Sequence, residues 1–247
     1  MAVPPPPRNI GLARVLSKLG YCSRSQAFAL IRAGRVALNG EVQRNPERPV
    51  ALSLDRIQVD GVAIRAQQKA YLMLNKPRGL VTTRDDEQGR ATIYQQLDGD
   101  FPWLAPVGRL DKASEGLLLL TNDSEWAARI LAPETHLPKI YHIQIAGLAS
   151  QELLQKLRQG IRDRGELLRV RSASVLRHGE RNAWLEVVLD EGKNRHIRRM
   201  LQQLGIRVLR LVRVAIGPLE LGGLAKGKYR MLTPSEKGSL DAAMRRK

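Results

Sequence analysis

The chain is short of cysteine, histidine and acid, and each shortage narrows what it does. Cys22 is the single cysteine in 247 residues, so the chain forms no internal disulfide and no cysteine cluster for zinc. The four histidines are widely scattered, which argues against a histidine-rich metal site. No apolar run reaches the roughly 18 residues that a membrane-spanning helix needs. The opening residues lack the apolar core of a signal peptide. The expectation is a soluble protein in a reducing, cytoplasmic setting with no membrane partner. Acids number 24 against 41 lysines and arginines, a net charge of +17, with a sequence pI near 10.7. So one-sided a balance gathers polyanions and points to nucleic acid as the partner. Hydrophobic residues make up 43%, enough for a sizeable core, and the length suits one large domain or a small one beside a medium one.

Residues 1–8 read as a proline-rich, extended tail. A small α/β unit follows over 9–65. Leu12, Val15, Leu16 and Leu19 recur at helical spacing up to Gly20. Ser23 and Gln26 have capping-box spacing and open a second helix that stops at Gly34. Asn39-Gly40 and Asp60-Gly61 each sit between short apolar segments, the strongest local hairpin signal. The unit carries Arg14, Lys18, Arg24, Arg32 and Arg35 with almost no interleaved acid before Glu41. A helix face that is merely solvated mixes signs, so these five are candidate RNA-phosphate contacts. A polar linker, 66–70, leads into a larger domain over 71–236, and 237–247 reads as a basic flexible tail ending in Arg245, Arg246 and Lys247.

In the larger domain strands are expected at Tyr71–Leu74, through the run Gly116–Thr121, at Lys139–Gly147, Leu168–Leu176, Ala183–Leu189 and Val208–Val214. Helices are expected at 125–131, with Ser124 as its cap, at 151–158 and at 194–204. Strands without regular helical crossovers predict an α+β fold with a mixed, mostly antiparallel sheet.

Two stretches carry chemistry. In Val107-Gly108-Arg109-Leu110-Asp111 a carboxylate stands beside a guanidinium, just before a buried strand. A carboxylate so placed escapes full solvation, and a neighbouring guanidinium favours its charged form. Many structural aspartates share that setting, and Arg109 equally fits an RNA contact or a brace for the turn. The second stretch runs from Glu191 to Met200. On a helix, Arg195, Arg198 and Arg199 fall on one face and Ile197 and Met200 on the other. Side-by-side guanidiniums repel unless an anion lies between them; RNA phosphate or a buried carboxylate such as Asp111 would answer.

Three blocks occur in the order seen in pseudouridine synthases: Gly108–Asp111, Lys139-Ile140-Tyr141-His142-Ile143, and Gly192–Met200. The chain resembles the bacterial branch of that family that acts on ribosomal RNA. Leu74–Gly79 and Arg213–Leu219 also match, and the N-terminal unit resembles the S-four-like RNA-binding domain of many members. The resemblance covers roughly 9–236. It implies isomerisation of a uridine already in RNA, without cofactor or metal, by a monomer acting on ribosomal RNA or an assembly intermediate. It makes Asp111 the essential carboxylate, acting either as nucleophile or by removing a ribose proton. It makes Tyr141 the residue that stacks on the target base and Arg198 the partner of Asp111. Lys76 reads as an RNA contact or a surface charge. His196 stands where the family commonly has glutamine. The alternatives are a synthase acting on another RNA and a non-catalytic ribosomal-RNA-binding or assembly factor.

Overall fold

A computed structural model describes residues 10–52, 54–84, 86–99 and 101–245. The expected tail over 1–8 and the terminal Arg246 and Lys247 lie outside the described residues. The chain divides into two compact units. The first holds the described residues up to Ala70 together with a segment ending at Ala105 and Thr121–Trp126; the second holds Tyr71–Gly99, Pro106–Leu120 and the chain from Ala127.

In the first unit, helices α1 (Leu12–Lys18) and α2 (Arg24–Arg32) pack together. Both halves of the capping box form at the start of α2. The Gln26 backbone N–H donates to Ser23 Oγ at 3.1 Å, and the Ser23 N–H donates to Gln26 Oε1 at 3.0 Å. A four-stranded sheet follows, made of β1 (Val36–Leu38), β2 (Glu41–Gln43), β3 (Ile57–Val59) and β4 (Val62–Ala63), in the order β2-β1-β3-β4. Both tight turns have two residues at positive φ: Asn39 at 54° and Gly40 at 90°, Asp60 at 50° and Gly61 at 78°. That is what a two-residue hairpin turn of the primed type requires. Val36, Leu38, Ile57 and Val59 point inward against Leu12, Leu16 and Ile31. Each such side chain, taken out of water, contributes about 2 kcal/mol. Cys22 is buried with them, and burial pushes its thiol up to about 11, which keeps it a small apolar filler.

The second unit is built on a mixed, nine-stranded sheet. Seven strands form its main path: β5 (Tyr71–Lys76), β6 (Glu115–Thr121), β7 (Lys139–Ala146), β8 (Ser172–His178), β9 (Asn182–Leu189), β10 (Val208–Ile216) and β11 (Tyr229–Met231). Their order is β8-β9-β7-β10-β6-β5-β11, with two-residue strands beside β6 and β10. Pairs β8·β9, β9·β7, β7·β10 and β5·β11 are antiparallel, and β6·β10 is parallel. The fold is thus the expected α+β type. Helices α3 (Ser124–Leu131), α4 (Gln151–Gln159), α5 (His196–Gln203) and α6 (Pro234–Ala243) accompany the sheet. Every residue of β6 is buried: its run of leucines is apolar, and Glu115 at its start is paired with Arg210 and Lys226.

Three local expectations change. Leu168–Leu176 is not one strand. Ile161–Asp163 and Glu166–Leu168 form a small hairpin, because Arg164 and Gly165 both take positive φ, 52° and 79°, and turn the chain before β8 begins. Asp123, not Ser124, holds the start of α3: its Oδ1 accepts from the Trp126 N–H at 3.1 Å. The segment from residue 237, expected to be a flexible tail, continues as helix to Ala243. Thr233 and Glu236 make a full capping box there and Pro234 opens the first turn, a signal present in the sequence.

Candidate active site

The loop Val107–Ser114 delivers Asp111 to the start of β6, and the bonds that hold it come from four places. Val107 N–H donates to Leu119 O at 2.8 Å. Thr82 Oγ1 donates to Leu110 O at 2.7 Å, and Gly79 N–H donates to Lys112 O at 2.7 Å. Arg198 Nη2 donates to Ala113 O at 2.9 Å and approaches Ser114 Oγ at 3.3 Å. Lys76 is fully buried, and its Nζ donates to Pro77 O at 3.1 Å, Asp111 O at 3.2 Å and Ser114 O at 2.9 Å. Burial pushes this ammonium down to about 8, although Asp111 and Glu115 pull the other way. Lys76 was read above as an RNA contact or surface charge. The structure corrects that reading: no part of its side chain reaches the surface.

Strand β6 lies unusually close to β10. Gly116 has φ of 101°, and a Cβ there would sit 2.2 Å from the Arg213 carbonyl oxygen. Only glycine permits this approach. It brings Arg213, on β10, to the start of β6, where its Nε donates to Leu117 O at 2.7 Å.

A cavity of about 200 Å³ opens beside the loop. Asp111, Arg109, Arg195, Arg198, Tyr141, Lys139, Arg213 and His196 line it, with Leu131, Leu189, Ile197 and Leu211 as its apolar parts. Tyr141 comes from β7, where alternate side chains face the cavity; it is 9% exposed and stands opposite Arg213 in the ladder. The Asp111 side chain is 32% exposed. Arg198 Nε lies 3.8 Å from Asp111 Oδ2, and Arg195 Nη1 lies 3.9 Å from the same oxygen. These are ion-pair distances, longer than hydrogen bonds. Burial lowers the affinity of the Arg198 guanidinium for its proton, and Asp111 offsets part of that. Burial also pushes the His196 imidazole below its usual value, so it sits in the wall uncharged at neutral pH. A larger concavity of about 940 Å³ lies on the first unit. Its one acid, Asp55, is already held by Asn39 and the Ala51 N–H.

The three arginines expected on one helix face separate. Arg195 is outside α5, at φ of 48°, and is exposed. Arg198 turns to the Asp111 loop. Arg199 turns to the hairpin below β8: it donates from Nε to Asp163 Oδ2 and from Nη1 to Glu166 Oε2 at 2.9 Å, and Gln203 adds a bond to Asp163 at 2.7 Å. Its expected contact with RNA is therefore corrected to an internal clamp. On the first unit, Arg14, Arg24 and Arg32 are exposed. Arg35 is held by Asp60 at 2.6 and 2.9 Å, and Lys18 is paired with Glu125. Arg109 is exposed at the cavity rim. Lys139 and Arg213 were not singled out above. The only sequence signal for them is their phase with Tyr141 and with the alternating pattern of β10.

Among the described residues, no group of three or more His, Cys, Asp or Glu is placed to hold a metal ion, and no helix is long and apolar enough to cross a membrane.

The sequence matches the family model described as RNA pseudouridylate synthase over residues 70–203, and that described as S4 domain over 10–57. The chain belongs to the RNA pseudouridylate synthase family. It is an RNA pseudouridine synthase, an isomerase, with an RNA-binding S4 domain at its N-terminal end. A protein of Aquifex aeolicus named an uncharacterized RNA pseudouridine synthase is 39% identical over 238 residues, 96% of this chain and 95% of that one. The ribosomal large subunit pseudouridine synthase B of Bacillus subtilis is 34% identical over 227 residues, 91% of this chain and 93% of that one. A solved pseudouridylate synthase shares 32% identity at a TM-score of 0.65, covering 94% of this synthase and 99% of its own chain. The matched span contains Asp111, Tyr141 and Arg198, and ends at the last residue of α5.

Proposed function

We propose that this synthase isomerises a uridine of ribosomal RNA, with Asp111 as the essential carboxylate. The observation that carries the reading is one cavity that gathers a partly exposed aspartate, a buried tyrosine face and two guanidiniums within 4 Å of the carboxylate. A uridine must leave its stack to be reached there, and the face of Tyr141 offsets part of that unstacking. Arg198 supplies positive charge to Asp111 and pins its loop, so the carboxylate is oriented before the ribose arrives. In the reaction the bond from N1 to C1′ breaks, the base turns, C5 bonds to C1′, the C5 proton leaves and N1 gains one. Nothing is oxidised or hydrolysed, so the reaction asks for no cofactor. The exposed Arg14, Arg24 and Arg32 of the S4 unit, with Arg109 and Arg195 at the cavity, supply phosphate contacts. The name of the Bacillus subtilis relative favours the large subunit, free or partly assembled, as target. The enzyme acts as a monomer in the cytoplasm.

The test is Asp111→Asn. Ribosomal RNA from a deletion strain, complemented with either form, is mapped for pseudouridine by carbodiimide modification and primer extension on both subunits. The wild type restores one or more sites and the variant none, while its affinity for the RNA stays nearly unchanged. A variant that restores the modification removes Asp111 from its role. Restoration of no site by the wild type removes ribosomal RNA as the target.

A further inference from the structure

We propose that Lys139 and Arg213 form a cationic inner wall of the cavity that binds the target uracil by its carbonyl oxygens and takes up the charge of the departing base; this rests on the assignment of the Asp111 cavity as the active site. Both side chains line the same cavity as Asp111 and Tyr141. Arg213 lies directly opposite Tyr141 in the β7·β10 ladder, and Lys139 follows the same alternation along β7, two residues before Tyr141. Arg213 is 6% exposed. Its Nε is committed to Leu117 O at 2.7 Å, but its Nη2 is buried and has no hydrogen-bond partner among the described residues. A buried guanidinium donor without an acceptor is unfavourable and calls for an explanation. An acceptor brought by a ligand is one.

Charge balance leads the same way. Asp111 already has Arg195 and Arg198 within ion-pair distance, so it needs neither Lys139 nor Arg213. Burial and then the neighbouring Arg213 push the Lys139 ammonium below its ordinary value, with Asp190 opposing. Two cations held close together in a half-buried wall repel each other until an anion enters.

The reaction produces such an anion. When the bond from N1 to C1′ breaks, its electron pair stays with the base, and the charge spreads over N1 and both carbonyl oxygens of the uracil. C1′ is then balanced either by bonding to the Asp111 carboxylate or by loss of the C2′ proton to it. Both routes release the same uracil anion. Donors fixed where that charge develops lower the barrier to cleavage more than they strengthen substrate binding. After the base turns, C5 bonds to C1′ as the bond from C1′ to Asp111 breaks or as Asp111 returns the proton to C2′; the C5 proton is then lost and N1 is protonated, which discharges the wall for product release.

The test uses a synthetic RNA spanning the mapped site, with either uridine or 5-fluorouridine at that one position. Fluorine withdraws electrons and makes the base a better leaving group, so it needs less help from the wall. Single-turnover consumption of that nucleoside is read by mass spectrometry after nuclease digestion. Arg213→Gln slows the uridine substrate about a hundredfold, the scale of losing one such donor. It slows the 5-fluorouridine substrate by roughly tenfold or less, and changes RNA affinity by less than about threefold. Lys139→Met shows the same imbalance more weakly, and decides the matter if Arg213→Gln fails to fold. Arg213→Lys recovers part of the rate. Equal slowing on both substrates, or slowing explained by lost affinity, overturns the proposal. Asp111→Asn is run first and stays inert on both RNAs; activity there would overturn the site assignment and the wall with it, whereas equal slowing by the wall variants overturns the wall alone.

Discussion

Replacing Lys76 with methionine isolates what a buried ammonium does for the Asp111 loop. Two effects oppose each other. The variant relieves the penalty of burying a charge. The fall of the lysine from its ordinary 10.5 to about 8, net of the opposing pull of Asp111 and Glu115, sets that penalty at roughly 3–4 kcal/mol. The variant also removes three bonds from a charged donor to the carbonyls of Pro77, Asp111 and Ser114, worth about 1.5–3 kcal/mol each. The lost bonds win, and the net destabilisation at pH 7.5 is roughly 1–5 kcal/mol. The pH dependence is the sharper signature. The folded-state value lies below the unfolded one, so between about 8 and 10.5 the unfolded chain holds a proton that the folded chain has released. Stability then rises with pH, is complete above 10.5, and is lost as pH falls through about 8. Urea unfolding of wild type and variant at pH 7.5 and 9.5 gives the comparison, and groups common to both proteins cancel in the difference. The wild type should gain about 2 kcal/mol on the variant between those two pH values. A difference that stays flat would mean that Lys76 carries no buried charge and that the loop is held by its other bonds.

Further substitutions test the corrected role of Arg199 and the S4 surface. Arg199→Ala leaves the nearly buried Asp163 with Gln203 alone and should destabilise the protein by about 2–3 kcal/mol in urea unfolding, with no change in the salt slope of RNA binding; a slope lower by about 1 would restore it to the RNA surface. The pair Arg24→Ala and Arg32→Ala should lower the magnitude of that slope by about 1.5–2, and Arg35→Ala by clearly less, because Arg35 is already bound to Asp60. The reverse order in a filter-binding series would place the RNA on another face.

The parts of the fold legible in the sequence are those set by neighbours a few residues apart. Asn39-Gly40, Asp60-Gly61 and the Ser23/Gln26 capping box announce their own geometry, and β6 is declared by a leucine run that only a strand buried on both faces can hold. The α5 boundary was less legible for a definite reason. Arg195 adopts a left-handed backbone, so counting helical turns from it assigns it and Arg199 to one face when they diverge. The Arg164-Gly165 turn carries no such announcement, because it lacks the asparagine that usually marks such a turn. In the site, the residues that touch Asp111 by backbone alone were not legible. Lys76 looks like any surface lysine until three carbonyls from distant positions close around it. Arg213 gains its meaning from Gly116, nearly a hundred residues away, whose missing side chain lets two strands meet.

The arrangement around Asp111 separates two tasks that one arginine often performs together. A guanidinium that met the carboxylate in a fork would satisfy both of its oxygens and leave little for a substrate. Here Nη2 of Arg198 is spent on Ala113 O and Ser114 Oγ, and only Nε faces Asp111, at 3.8 Å. The arginine therefore fixes the loop through the backbone and acts on the carboxylate through space. Lys76 does the same to the Asp111 carbonyl without reaching the side chain. Buried Lys76 and partly buried Arg198 thus hold the main chain of the Asp111 loop, while the Asp111 carboxylate, a third exposed, makes no hydrogen bond to either and stays open to the cavity.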